Sequence, residues 1–548
     1  MLPLTRNEQI QRLHYGVFDV LIVGAGINGA VSAAALSARG LKVALVDAGD
    51  FASETSSSSS CLVWGGIKYL QSLEFGLVRN LCRSRNTLMQ AFPTQVPEIR
   101  FLAGLDRDAP HRPLSIFAGT WLYWLLGESF TRKPGYWSRR VLREREPVLA
   151  MQDMRGGVAY SDAYLPEGDA HFVFGFIKRA WERGATAVNY TRALEGRIFD
   201  GIHHTGAEDV ITGERFAIKS RAVINATGPW AVEFNGAREV TTTHRLVFSK
   251  GIHLVVPQVT DADLVLTFFA ADDRPFFVFP LGDRSCVGTT DTRVPTPETM
   301  VTDEDRDFVL GNINRYLKKQ LTREDIISER CGVRPLVVKN TPTDDTDWTQ
   351  LSRKHVLEAD RERRFLTIFG GKLTDCVNVG EEVCEELEAM GIQGSQTIRR
   401  WFGEPSRISR RRFLDRLQRA VAGLDGSRLW RHYSYDSFLL LRRLEANPEE
   451  ARELLPGTGV LEAEVRHAAA HQMVVKLEDF FRRRTLLEMI RGREFLLESE
   501  GAREICWLLF GPTAEEHWEE YASQSGRGRG EPCGRGPRGC PPTARWTR

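Results

Sequence analysis

The chain has 548 residues, 42% hydrophobic and 26% charged, with a formal net charge of +1. That length allows a large core and more than one domain, in a composition ordinary for a globular protein. The near-zero charge excludes a global field for nucleic acid. The nine cysteines show no CxxC pair and no metal-ligand rhythm, which argues against a metal site and for reduced thiols in a cytoplasmic protein.

The opening MLPLTRNEQIQRLHYG lacks the apolar core of a signal peptide. Phe18 to Val23 is a short branched, apolar run that predicts a buried parallel strand. Gly24, Gly26 and Gly29 follow at G-x-G-x-x-G spacing, with Ile27 and Asn28 between them. An alanine-rich helix then runs to Ala38, and LKVALVD predicts a second strand ending at Asp47. In such a unit the first glycine permits the tight turn, the second admits a pyrophosphate, and the third lets helix and strand pack closely. The helix N-terminus offers amides to the pyrophosphate, and the terminal acid accepts from an adenosine ribose. The motif alone does not separate FAD from NAD. It occurs once and near the N-terminus, which favours a permanently bound FAD that takes a hydride directly from substrate.

TSSSSSCLVWGGIKYL, Thr55 to Leu70, comes next. Hydroxyls of Thr55, Ser56 and Ser60 can satisfy phosphate and ribitol oxygens, and Gly65-Gly66 lets the chain pass close to a flavin ring. The stretch resembles the FAD-dependent glycerol-3-phosphate dehydrogenase family, whose members read S-S-x-x-S-S-K-L-I-H-G-G-L-R-Y-L here. Cys61 stands where the family has Lys, Trp64 where it has His, and Lys68 where it has Arg; Tyr69 is retained. Lys68 keeps the charge and loses the planar fork that grips a phosphate at two oxygens. These departures leave FAD in place and the substrate open.

The resemblance continues along the chain. FAGTWLYWLLG, Phe117 to Gly127, is about half a bilayer span. Val158 to Ala193 predicts strand, loop, helix and strand, with Asp169-Ala170 in the family's D-D-A-R-L segment. RAVINATGPWAVEF resembles the family closely, and Gly228 sits at its turn. SKGIHLVVP resembles K-G-S-H-I-V-V-P, which makes His253 the implied base; without the family, a lone His in such a strand reads as structural. PFFVFPLGDRSCVGTTDT predicts a hairpin whose Asp291 suits an active-site acid or a turn. CGVRPLV offers Arg334 as the anion-holding guanidinium, and Arg353 takes the place of a second substrate arginine. In FLTIFGGKLTDCVNVGEEV a strand enters Gly370-Gly371, and Lys372-Leu373-Thr374 opens a helix whose amides face the flavin pyrimidine.

Beyond residue 400, Arg-rich helices follow, and Arg410–Arg412 and Arg482–Arg484 read as solvated faces, with anionic lipid or another subunit as the alternative. From Ser523 the Gly/Pro/Arg-rich tail predicts disorder.

The expected fold is α/β: an FAD-binding Rossmann-like domain of the glutathione-reductase/D-amino-acid-oxidase type (18–85, 151–239, 326–400), interleaved with a mixed-sheet substrate domain (86–150, 240–325), plus a C-terminal α-helical domain (401–522). The resemblance implies oxidation of sn-glycerol 3-phosphate to dihydroxyacetone phosphate, with hydride transfer to flavin N5 and electrons passed to a quinone. Arg334, Arg353, Lys372 and Lys68 hold the anion beside Tyr69, and His253 takes the proton. Gly24, Gly26, Ile27, Asn28, Gly29, Asp47, Thr55, Ser56, Ser60, Gly228, Gly371, Lys372, Leu373 and Thr374 line the cofactor. The expected place is the cytoplasm, with room for peripheral contact at the cytoplasmic membrane face and for a homodimer. Two alternatives stay open: an FAD oxidase or dehydrogenase of another anionic 2-hydroxy or amino acid, and a non-catalytic flavin-binding protein.

Overall fold

The computed structural model describes residues 5–106, 113–152, 154–260, 263–270, 274–340, 355–396 and 400–523. Arg353 and the tail beyond Ser523 lie outside them.

The chain moves back and forth between two sheets. After helix α1 (Arg6–Tyr15) it lays down β1 (Val17–Val23), α2 (Ile27–Ala38) and β2 (Val43–Val46). It crosses to a second sheet with β3 (Leu62–Val63), then α3 (Phe75–Ala91), β4 (Glu98–Asp106), α4 (Pro113–Leu126), β5 (Gly135–Ser138), α5 (Arg139–Arg145) and β6 (Met154–Tyr164). Helix α6 (Asp169–Glu182) returns it to the first sheet for β7 (Thr186–Val188), β8 (Thr191–Phe199), β9 (Ile202–Asp209) and β10 (Arg215–Asn225), and α7 (Ala231–Gly236) follows. A second excursion builds β11 (His244–Pro257), β12 (Leu264–Phe269), β13 (Pro275–Leu281), β14 (Arg284–Gly288), β15 (Thr292–Val294), α8 (Asp303–Asn314) and β16 (Ser328–Lys339). Strands β17 (Val356–Asp360) and β18 (Phe365–Phe369) close the first sheet, and α9 (Cys376–Ala389) leads to helices beginning with α10 (Arg407–Ala420).

The first sheet runs β17-β18-β10-β1-β2-β7. β1 lies parallel between β2 and β10, with Val23 beside Val46 and Asn225. Both its faces are covered, so Val20, Leu21 and Ile22 are fully buried, each contributing roughly 1.5–3 kcal/mol. Helix α2 packs between α6 and α9. Its small residues, Ala30, Ala33, Ala34, Ala35 and Ala38, are fully buried and let it lie close to both neighbours.

The second sheet runs β15-β11-β14-β13-β12-β4-β6-β3, with β16 paired along β11 and β5 on β6. Its strands β3, β6 and β16 lie outside 86–150 and 240–325. They are the passages on which the chain leaves or rejoins the first sheet: β6 and β3 end the second sheet on one side, and β16 pairs with β11 near the other.

Candidate active site

Three loops meet at the N-terminus of α2. The first is the glycine-rich turn. Gly24 has φ +101°. A Cβ on Gly24 would lie 2.4 Å from the Ala226 carbonyl oxygen, and one on Gly29 1.8 Å from that of Gly24. Both obstacles are backbone, so neither position accepts a side chain. Gly26 begins α2 without a side-chain cap. Asp47, at the end of β2, accepts from Ala25 N at 2.6 Å and Gly49 N at 2.8 Å. Its recessed setting pushes its carboxyl up to about 6, against the pull of those amides.

The second is the serine loop, which is packed rather than free. Ser56 Oγ accepts from Ile27 N at 2.9 Å, so this hydroxyl caps α2. Thr55 Oγ1 donates to Val333 O at 2.8 Å, tying the loop to β16. Ser59 N donates to Asp169 Oδ2 at 2.7 Å, tying it to α6. Ser60 is half-buried at the loop's end. Cys61 is buried at φ +54°, a costly conformation for a residue with a Cβ.

The loop continues into Gly65-Gly66. A Cβ on Gly65 would lie 2.3 Å from the Tyr123 hydroxyl and 2.7 Å from Cys82 Sγ, so α3 and α4 press directly on this turn. Behind it, buried Asp162 accepts from Arg85 Nη1 at 2.5 Å, Tyr123 OH at 2.8 Å and Gly65 N at 3.3 Å. Trp64 packs edge-on against Phe277, its buried indole N–H directed toward Tyr160.

The third is Gly370-Gly371-Lys372. Asn28 Nδ2 donates to Gly370 O at 2.9 Å, while Asn28 Oδ1 is buried without a donor. Gly371 has φ +110°. Lys372 Nζ donates to Tyr69 OH at 2.9 Å and lies 4.2 Å from that ring's centroid. Lys68 Nζ lies 5.2 Å from the same centroid. Leu373 begins the turn before α9, and Thr374 Oγ1 donates to Trp64 O at 3.3 Å, joining the second loop to the third. The ATGPW corner stands behind: Gly228 has φ +60°, and Asn225 Oδ1 accepts from Thr227 N and Oγ1.

The antiparallel pair β11/β16 carries the remaining groups. His253 lies opposite Arg330, Gly251 opposite Gly332, and Ser249 opposite Arg334. Residues directly opposite or two apart share a face, so the imidazole and both guanidinium stems rise on one side. Arg334 lies across Gly251, where a Cβ would come within 2.2 Å of Nη2. It donates to Thr290 O at 3.2 Å and Thr289 Oγ1 at 3.0 Å, with Asp291 Oδ1 at 3.5 Å. Asp291 also takes the Ser249 hydroxyl and faces Arg274 at 3.6 Å, so it serves as a counter-ion for arginines. His253 is 2% exposed, and neither ring nitrogen has a hydrogen-bond partner. Burial first, then Arg330 and Arg334, hold its pKa well below 6.5, so the ring is neutral.

Two polar clusters had no local signal in the sequence. One is Asp162–Arg85–Tyr123, assembled from three separate elements. The other is His355, whose Nδ1 lies 3.1 Å from Asp375 and whose Nε2 lies 2.9 Å from Glu382. Burial opposes charge on this ring, but the two carboxylates outweigh it and raise its pKa. One cluster was misread: Arg483 and Arg484 are buried on Asp50, because the helical turn Asp479–Arg484 folds back onto the loop after β2. Among the described residues no group of three or more His, Cys, Asp or Glu could hold a metal ion.

The site fits an FAD. The turn carries no side chain at Gly24, Gly26 or Gly29, and the buried Asn28 Oδ1 and both His253 ring nitrogens lack hydrogen-bond partners. The family model for FAD-dependent oxidoreductases matches residues 19–373, and that for the C-terminal domain of alpha-glycerophosphate oxidase matches 410–505. The aerobic glycerol-3-phosphate dehydrogenase of Escherichia coli K12 is 31% identical over 511 residues, covering 90% of this chain and 97% of the relative. The glycerol-3-phosphate dehydrogenase of Pseudomonas tolaasii is 30% identical, covering 87% and 93%. The fold is similar to that of the glycerol-3-phosphate dehydrogenase from Bacillus halodurans complexed with FAD, at TM-score 0.68, 24% identity and coverage of 94% and 95%.

Proposed function

The chain belongs to the FAD-dependent oxidoreductase family, in its glycerol-3-phosphate dehydrogenase branch, and on that premise we propose that it oxidises sn-glycerol 3-phosphate to dihydroxyacetone phosphate. The observation that carries the reading is the shared face of β11 and β16, where a neutral imidazole without hydrogen-bond partners stands on the same face as the Arg334 guanidinium. A secondary alcohol needs a base at its hydroxyl, and a phosphate needs cations.

Bound FAD supplies the two-electron acceptor. The glycine turn and α2 hold its pyrophosphate, Asp47 its ribose, and Asn28 and the Gly371–Thr374 amides its flavin end. Arg334 and Lys372, with Lys68 and Arg353, take the phosphate. Tyr69 orients Lys372 through its hydroxyl. An open ring nitrogen of His253 would accept the proton of the substrate hydroxyl while the carbon bearing it gives up its C–H hydrogen with both bonding electrons, for which FAD, when bound, would be the acceptor; the carbon is left as a ketone. Segments 18–85, 151–239 and 326–400 carry the cofactor on this reading, 86–150 and 240–325 the substrate, and 401–522 the helical domain.

The electrons leave to a quinone at a membrane surface. Helix α4 supports this. Leu114, Leu122 and Leu125 are 77%, 40% and 59% exposed, and Leu73 and Phe75 at the start of α3 are exposed as well. Its inner face presents Tyr123 to the Gly65 turn. An apolar helix face of this kind lies in a lipid interface rather than across it. Among the described residues no helix is long and apolar enough to cross a membrane.

Trp64 favours a second reading, an FAD enzyme of another anionic 2-hydroxy or amino acid reoxidised by oxygen, because its indole fills space beside Phe277. Anaerobic mixing with glycerol 3-phosphate separates the two. Rapid bleaching of the yellow absorbance supports the first. Bleaching only by another acid supports the second, and no bleaching by any candidate overturns both.

A further inference from the structure

Arg330 is the one buried guanidinium on the β11/β16 face that no step above uses. It is 2% exposed. Nη2 donates to Asp169 Oδ1 at 2.8 Å, Oδ2 at 3.0 Å and Ser57 O at 2.7 Å, and Nη1 lies 3.1 Å from Cys61 Sγ. Each contact belongs to a different part of the site. Asp169 starts α6 and also accepts from Ser59 N. Ser57 and Cys61 are the two ends of the serine loop's tight section. Two positions along β16, a Cβ on Gly332 would lie 2.7 Å from Ser58 Cβ, so strand and loop are in direct contact.

We propose that Arg330 is the positioning residue of the reaction centre: it binds the serine loop, the start of α6 and the substrate strand into one unit, and supplies from β16 the positive charge that position 61 lacks. A buried cation has to have its charge and donors met, and a buried carboxylate likewise. Asp169 without a cation would stand alone in the core. Cys61 cannot provide one, since a thiol is never a cation; burial raises its pKa despite Arg330 beside it and so keeps it neutral. The guanidinium fork reaches Asp169, a main-chain oxygen and the thiol at once, which a lysine at 330 cannot do. Cys61 holds a left-handed backbone, and Arg330 together with Ser59 Oγ, which accepts from Cys61 N at 3.2 Å, keeps it there.

The second consequence concerns His253, directly opposite. The charged groups facing its ring are Arg330 and Arg334 of β16, with Asp169 of α6 behind Arg330 and the thiols of Cys61 and Cys286 alongside the guanidinium. Both arginines disfavour a proton on the imidazole. This part rests on His253 being the base.

The test is a charge-relocation cycle in full-length, FAD-loaded protein. R330M strands Asp169: FAD affinity, read by flavin fluorescence on titration of apoprotein, falls about tenfold or more, and the acid limb of kcat/KM moves to higher pH. R330K keeps the charge and loses the fork, so affinity falls while the limb stays. C61K alone crowds two cations and weakens FAD binding. C61K/R330M returns the cation from the other side and recovers affinity toward that of the parent. A double variant no better than R330M overturns the assignment, as does an R330M with unchanged affinity and unchanged limb. If R330M does not fold, R330K and C61K decide: normal affinity in both overturns it. H253A separates the two readings. If it turns over normally, His253 is not the base, while the affinity arms still judge Arg330.

Discussion

His253 combines near-complete burial with two open ring nitrogens, a costly arrangement in a structural residue. His253→Ala is expected to slow flavin reduction by about 10²–10⁴-fold in stopped-flow while FAD content stays normal. An unchanged rate removes it from the mechanism. Its folded pKa lies below 6.5, so the unfolded chain binds the proton first as pH falls. Activity therefore stays level down to about pH 6.5 with respect to this group, and stability tied to it is lost only below that. Lys372→Met removes a charge-assisted contact worth roughly 1.5–3 kcal/mol, so KM for the anionic alcohol rises about tenfold or more with little change in bound FAD. His253, Arg334 and Lys372 drew notice through the resemblance of the runs they sit in, since a lone His in an apolar strand reads as structural by itself. The pairing of Lys372 with Tyr69, or of Arg330 with Cys61, was not legible, since strand register across hundreds of residues leaves no trace in local spacing.

At the scale of elements, the strand–turn–helix unit around α2 was readable in full, because the glycines, the alanine face and the terminal Asp47 answer to one local geometry. Gly29→Val puts atoms where the Gly24 carbonyl stands; the purified protein is expected to be colourless and to stay so with excess FAD. In the sequence, helix α4 showed only as an apolar stretch about half a bilayer span long. Folding leaves Trp121 and Trp124 half-buried and Leu122 and Leu125 outward, while Thr120 and Tyr123 are buried, Tyr123 donating to Asp162. Leu122→Glu with Leu125→Glu should lower binding to anionic liposomes in flotation and slow quinone reduction, with anaerobic bleaching by substrate unchanged. Loss of bleaching would mean the helix serves the flavin turn instead.

At the scale of the molecule, the C-terminal helices are fastened to the nucleotide fold by buried charge. Arg484 grips Asp50 at 2.8 and 2.9 Å, Arg483 reaches it at 2.7 Å, and Asn189 at 2.8 Å. Farther along the same boundary, Glu167 meets Arg431 and His432, and Asp436 meets Lys178. Arg484→Met leaves Asp50 partly uncompensated and is expected to cost about 3–5 kcal/mol, seen as a lower Tm. In all three carboxylates burial alone would raise the pKa, and the cations overcome it and hold the values below normal. Their contribution is thus complete above the ordinary carboxylate range and fades as pH falls through the folded values. Thermal melts from pH 8 to 3 should show this boundary weakening on the acid side; a Tm independent of pH would contradict it. The arginine triplet misled the sequence reading because periodicity reports which faces are polar, and a paired buried face looks the same as a wet one.

The shuttling of the chain between its sheets bears on how the protein is made. β1 emerges early, yet its neighbour β10 arrives only after the first excursion, and β18 only after the second. The nascent turn must wait, unsupported, for most of the polypeptide to be synthesised, and such distant pairings form slowly and expose sticky intermediates. Severed halves of this enzyme would therefore each lack a wall of the same crevice, and prosthetic-group capture belongs at the close of biogenesis rather than its start.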